Sequence, residues 1–104
     1  MALPTVAAAY EDCYDHYERA RESERGIRIF FPKEKDARHF QFRMHQARSI
    51  ERRESRQVYD KIDPRWNKSV NDRYRVAVRQ AAEGDGWWVY IEVWEQKVGV
   101  IEEL

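Results

Sequence analysis

Two stretches of strict polar–apolar alternation, residues 72–80 and 87–94, constrain this chain more than anything else in it. Ala81-Ala82-Glu83-Gly84-Asp85-Gly86 joins them and supplies two glycines for positive-φ corners, so the segment reads as an antiparallel hairpin. Alternation sends successive side chains to opposite faces. One face receives Tyr74, Val76, Val78, Trp87, Val89, Ile91 and Val93, which is a core face. The other receives Arg73, Arg75, Ala77, Arg79, Trp88, Tyr90, Glu92 and Trp94. Centring the hairpin on Glu83 and Gly84 sets Arg79 opposite Trp88, Ala77 opposite Tyr90, Arg75 opposite Glu92 and Arg73 opposite Trp94.

A hairpin is not stable alone and must pack on something. Ile27-Arg28-Ile29-Phe30-Phe31 is a short strand whose Arg28 and Phe30 can join the arginine face. Residues 5–25 read as a first helix, capped by Thr5 and stopped by Gly26, with Tyr10, Cys13, Tyr14, Tyr17 and Ala20 at helical spacing. Pro32 opens a second helix running to about Tyr59, before Asp63-Pro64. Ala37, Phe40, Met44 and Ala47 form its apolar stripe, and Ile50 is the only large apolar residue from Arg48 to Gln57. Such a helix is about 40 Å long at 1.5 Å per residue, twice the roughly 20 Å of a typical strand. Residues 48–59 are therefore expected to overhang the sheet as a polar helix end. Residues 60–71 read as a loop anchored by Ile62, Trp66 and Val70, and residues 97–101 as a short last strand weakened by Gly99. The order α-β-α-β-β, with one further β, predicts one small α+β domain over residues 1–104: an antiparallel hairpin sheet packed on a long helix.

Zero net charge conceals a segregated pattern. Residues 1–26 carry three basic against six acidic side chains, residues 27–82 fifteen against seven, and residues 83–104 one against six. A basic middle between acidic ends lets a near-neutral protein present a positive face, unless the ends fold over it. The 13% aromatic content argues against disorder, and no apolar run approaches the roughly 18 residues of a membrane span. The N-terminus lacks a basic, apolar secretory pattern. Cys13 is the only cysteine, so no internal disulfide or cysteine metal cluster forms, and a reducing, cytoplasmic setting is expected.

Catalytic signals are sparse. Glu95-Gln96-Lys97 after an apolar strand is similar to the carboxylate-x-Lys ending of restriction-type nucleases, which needs an earlier acid to share a metal. Asp63, Asp72 and Asp85 are the candidates, and none has a convincing strand context. His39 and His45 point about 120° apart on a helix, and Cys13 with His16 supplies only two ligands. No enzyme activity, cofactor or metal is expected.

Binding signals are stronger. Arginines interleaved with aromatics on a sheet face suit nucleic acid, with guanidinium on phosphate or guanine and Trp or Tyr stacked on bases. The structural alternative is that the first helix covers this face, its tyrosines packed on Trp88 and Trp94. Along the second helix, Arg38, Phe42, His45, Ser49, Arg52, Arg53 and Arg56 share a basic face away from the apolar stripe. The expectation is a small, non-enzymatic nucleic-acid-binding protein, DNA before RNA because a helix fits the major groove. Arg38, Arg52, Arg53, Arg56, Arg73, Arg75, Arg79, Trp88 and Trp94 are its contacts. The alternative is a protein-interaction module, inhibitor or structural subunit using the same helix and the Trp-rich hairpin, since Trp, Tyr and Arg dominate such interfaces.

Overall fold

A computed structural model describes residues 9–93. Thr5, Trp94, Glu95–Lys97 and the anticipated strand at 97–101 lie outside them. The elements run α1 (Glu11–Glu22), β1 (Gly26–Phe31), α2 (Glu34–Val58), β2 (Tyr74–Gln80) and β3 (Trp87–Val93). This is the expected α+β order. The three strands form one antiparallel sheet in the order β1-β3-β2, which puts the last strand in the middle.

The hairpin register is the one its turn chemistry implied: Arg79 faces Trp88, Ala77 faces Tyr90 and Arg75 faces Glu92. Gly84 and Gly86 both take positive φ in the connection. Gly26 also has positive φ, 101°, but it opens β1 rather than closing the helix. α1 ends earlier, at Glu22, where Ser23 turns into extended backbone and its N–H bonds the Ala20 carbonyl.

Both helices lie on the same side of the sheet. Cys13, Tyr17 and Ala20 of α1 and Ala37, Phe40, Met44 and Ala47 of α2 join Tyr74, Val76, Val89 and Ile91 in one buried cluster. The tyrosines of α1 turn to α2. Tyr17 Oη donates to the Met44 carbonyl at 3.0 Å and Tyr14 Oη to the Ala47 carbonyl at 2.9 Å. Burial pushes both phenols up to about 12. Arg43 adds a two-pronged grip on Asp12, at 2.6 and 2.8 Å, and reaches the Ala9 carbonyl. The alternative in which α1 covers the arginine face is thereby overturned. An amphipathic α1 has one apolar stripe, and α2 together with the core face of the sheet absorbs it.

The polar end of α2 does not hang free either. The 60–72 loop folds back along it through polar contacts. Glu51 accepts from Ser69 Oγ and Asn71 Nδ2, Ser55 Oγ accepts the Lys68 amide, and Arg52 grips Asp72 at 2.6 and 2.9 Å. Ile62 and Val70 are instead 94% and 66% exposed, so two of the three expected apolar anchors are wrong. The loop is anchored by Ser69 and Asn71, both buried, because the helix end it meets offers hydrogen-bonding groups rather than apolar surface.

Candidate functional site

The face of the sheet opposite the helices is uncovered among the described residues. Alternation carries Trp88, Tyr90 and Glu92 up the central strand, Arg28 and Phe30 up β1, and Arg75, Ala77 and Arg79 up β2. The side chains meet both straight across and on diagonals. Arg28 lies over the Trp88 ring, 3.9 Å from its centroid, and its Nη1 is 3.5 Å from Tyr90 Oη. Arg79 lies over Tyr90 at 4.5 Å. Phe30 meets Trp88 edge-to-face at 5.2 Å, and its ring packs on Gly86, where a Cβ would collide with it. Cation–π contact thus holds the Arg28 and Arg79 guanidiniums over the aromatic rings of the sheet face.

One carboxylate interrupts the array. A single Glu92 oxygen accepts from both Arg75 and Arg79, at 2.7 Å each. Burial pushes the Glu92 carboxyl up, but the bonds from Arg75 and Arg79 together outweigh it and hold it below its ordinary range. Three arginines against one glutamate leave the face with an excess of positive charge. A shallow depression of about 400 Å³ runs from Arg28, Phe30 and Trp88 to the hairpin loop at Glu83 and Asp85.

The residues singled out in the sequence do not form one surface. Arg75, Arg79 and Trp88 belong to this face, and Trp94 lies outside the described residues. Arg73 precedes β2 and leans toward the Tyr74 ring, 5.4 Å away. Arg38, Arg52, Arg53 and Arg56 sit on α2, in the other layer of the fold. Arg52 is engaged by Asp72, and Arg38 lies 3.5 Å from Glu34. Arg53 and Arg56 are exposed and make no ion pair among the described residues. Arg28, Phe30 and Tyr90 are the members of the open face absent from the expected contacts. Their signal was present in the alternation of both strands.

Two of the three acidic candidates are held by arginines. Asp63 is held by Arg65, which keeps its carboxyl down at about 2, and Asp72 by Arg52 and the Ser69 amide. Burial pushes the Cys13 thiol up to about 11, the reverse of what a nucleophile needs. No cluster of three metal-ligating side chains occurs among the described residues, and no helix there is long and apolar enough to cross a membrane. No family model, curated protein or solved structure matches the chain.

Proposed function

We propose that this protein binds single-stranded nucleic acid on the open face of its sheet. The observation that carries the reading is the placement of both helices on the opposite face, which leaves exposed Arg28, Phe30 and Arg79 and half-buried Trp88 and Tyr90 as a contiguous aromatic and cationic surface. An open sheet face of aromatics and arginines suits unstacked bases, which stack on aromatic side chains while arginines take phosphate. Arg38, Arg52, Arg53 and Arg56 of α2 lie in the other layer of the fold and do not extend this surface, so it engages a strand without a helix in the major groove. That shifts the preference from duplex DNA to single strands.

The salt dependence follows from the contact count. Nine-tenths of a counterion per phosphate on duplex, over seven arginines, would give a slope near −6 in log K against log salt. Three arginines on a single strand, at about 0.7 each, give about −2. Anisotropy with labelled oligo-dT and oligo-rU at stepped salt reads this directly. Trp88→Ala should weaken binding by about 1–3 kcal/mol, and Arg53→Gln with Arg56→Gln should leave it unchanged. Failure to bind either strand at low salt would refute the reading.

Phe30, 46% exposed beside Trp88, favours a second reading in which this surface is a protein hot spot. It predicts no oligonucleotide binding and a partner lost on Trp88→Ala.

A further inference from the structure

The edge of β2 next to α2 forms a second basic site, separate from the aromatic face. β2 is an edge strand, and α2 closes part of its open side. Gln41 Nε2 donates to the Val76 carbonyl at 2.9 Å, and Arg48 Nη1 donates to the Tyr74 carbonyl at 2.6 Å. Below these contacts lies a cleft of about 430 Å³ whose charged walls are Arg48, Arg52, Lys68, Arg75 and Asp72. Four cations meet one carboxylate. Asp72 is bound by Arg52 and the Ser69 amide and stands 4.0 Å from Arg48. Arg75 shares its carboxylate partner among the described residues, Glu92, with Arg79. The Lys68 ammonium makes no ion pair among the described residues.

Two details point from a charged wall to an anion. The Arg48 side chain is only 12% exposed, and its nearest carboxylate, Asp72 at 4.0 Å, is held more closely by Arg52, so an anion in the cleft would complete a partial balance of charge. His45, also on the cleft, sits with Nδ1 2.8 Å from Arg48 Nη2. Arginine has only donors, so Nδ1 must be the acceptor and the ring proton must be on Nε2. The imidazole is therefore fixed as a neutral donor among cations. Burial, then the charges of Arg48 and Arg52, hold His45 below its ordinary value.

We infer that this cleft binds a phosphate monoester dianion. The Lys68 ammonium adds a mobile point charge, Arg48, Arg52 and Arg75 line the cleft beside it, and these four cations outnumber Asp72 and Glu92 by two, which suits a dianion better than a single carboxylate. The site stands independently of the sheet-face reading. Arg75 borders both surfaces, so the same chemistry could be presented by a free phosphate or by the terminal phosphate of a strand lying on the sheet.

The test uses the full chain and inorganic phosphate, followed by NMR of the His45 ring protons against chloride at matched ionic strength. Phosphate should shift the His45 signals saturably and raise the pH at which the ring titrates, because an adjacent dianion favours the imidazolium. Lys68→Gln should weaken phosphate at least tenfold while the fold survives, since only its backbone amide is used structurally. Arg75→Gln is the second variant, with the same expectation. Equal shifts in chloride and phosphate, or shifts unaltered in both variants, would overturn the site. Oligo-dT with a 5′-phosphate, a 3′-phosphate or neither then separates the sources. Tighter binding of one phosphorylated end, lost in Lys68→Gln, identifies a strand terminus. Phosphate binding without an end effect identifies a free phosphate ligand.

Discussion

Replacing Tyr17 tests the seating of α1, on which the openness of the sheet face depends. Tyr17 is fully buried, its ring 6.3 Å from that of Tyr74 and its hydroxyl on the Met44 carbonyl. Tyr17→Phe removes the hydroxyl alone. Within an α-helix the Met44 carbonyl still accepts the amide four residues on, so it stays satisfied and the loss should be about 0.5–1 kcal/mol. Tyr17→Ala also empties the ring's place among Cys13, Met44 and Tyr74, and buried aromatic truncations cost about 3–5 kcal/mol. That is a large share of the roughly 5–15 kcal/mol available to a domain of this size. Urea unfolding followed by tryptophan fluorescence is the assay. With a slope near 2 kcal/mol per molar, the Ala variant should move the midpoint down by about 2 M and the Phe variant by less than about 0.5 M. An absorbance titration of the wild type should find two phenols that do not ionise until about 12. A Tyr17→Ala loss below about 1 kcal/mol, with no late-titrating phenols, would refute the docking of α1 on α2 and with it the argument that the arginine face is open.

Three further outcomes follow from individual contacts. Asp72→Asn should cost about 1–3 kcal/mol by weakening the Arg52 grip at the loop, whereas Arg53→Gln with Arg56→Gln should stay within about 0.5 kcal/mol, both read by urea midpoints. Gly26→Ala should destabilise by at least about 1–3 kcal/mol, because φ is 101° there and a Cβ would collide with the Ile91 carbonyl; thermal unfolding would show it. The hydrogen bonds from Arg43 hold the Asp12 carboxyl below its ordinary value, so the pair's contribution is complete above that value and disappears as pH falls from about 4 downward. Asp12→Asn should flatten this acid limb of stability, by less than about 1 kcal/mol since the pair is partly exposed.

Much of the fold could be read from local pattern. The alternation at 72–80 and 87–94 determined both strands and the membership of each face, because a pleat has a period of two, and centring the turn on Glu83 and Gly84 supplied the register. The Ala37, Phe40, Met44 and Ala47 stripe likewise determined which side of α2 is buried. Local pattern failed where partners come from afar. The bare polar stretch of α2 looked unsupported, yet Glu51, Arg52 and Ser55 hold a loop up to twenty residues away. The apolar Ile62 and Val70 looked like anchors, yet buried hydrogen-bonding positions took that role.

The composition of the candidate surface was thus written in the sequence, and its availability was not. Arginine, tryptophan and tyrosine fall on one face by alternation alone. Whether that face is open depends on where α1 docks, and an amphipathic helix carries no local mark of which apolar partner it will choose. Packing decided it, through Tyr14 and Tyr17 on the α2 carbonyls and Arg43 on Asp12. The same layering separated the α2 arginines from those of the sheet, and it brought Arg48, Lys68 and Arg75 to one cleft from three distant segments. Charge proximity across such separations is a property of the tertiary structure, since no spacing along the chain encodes it.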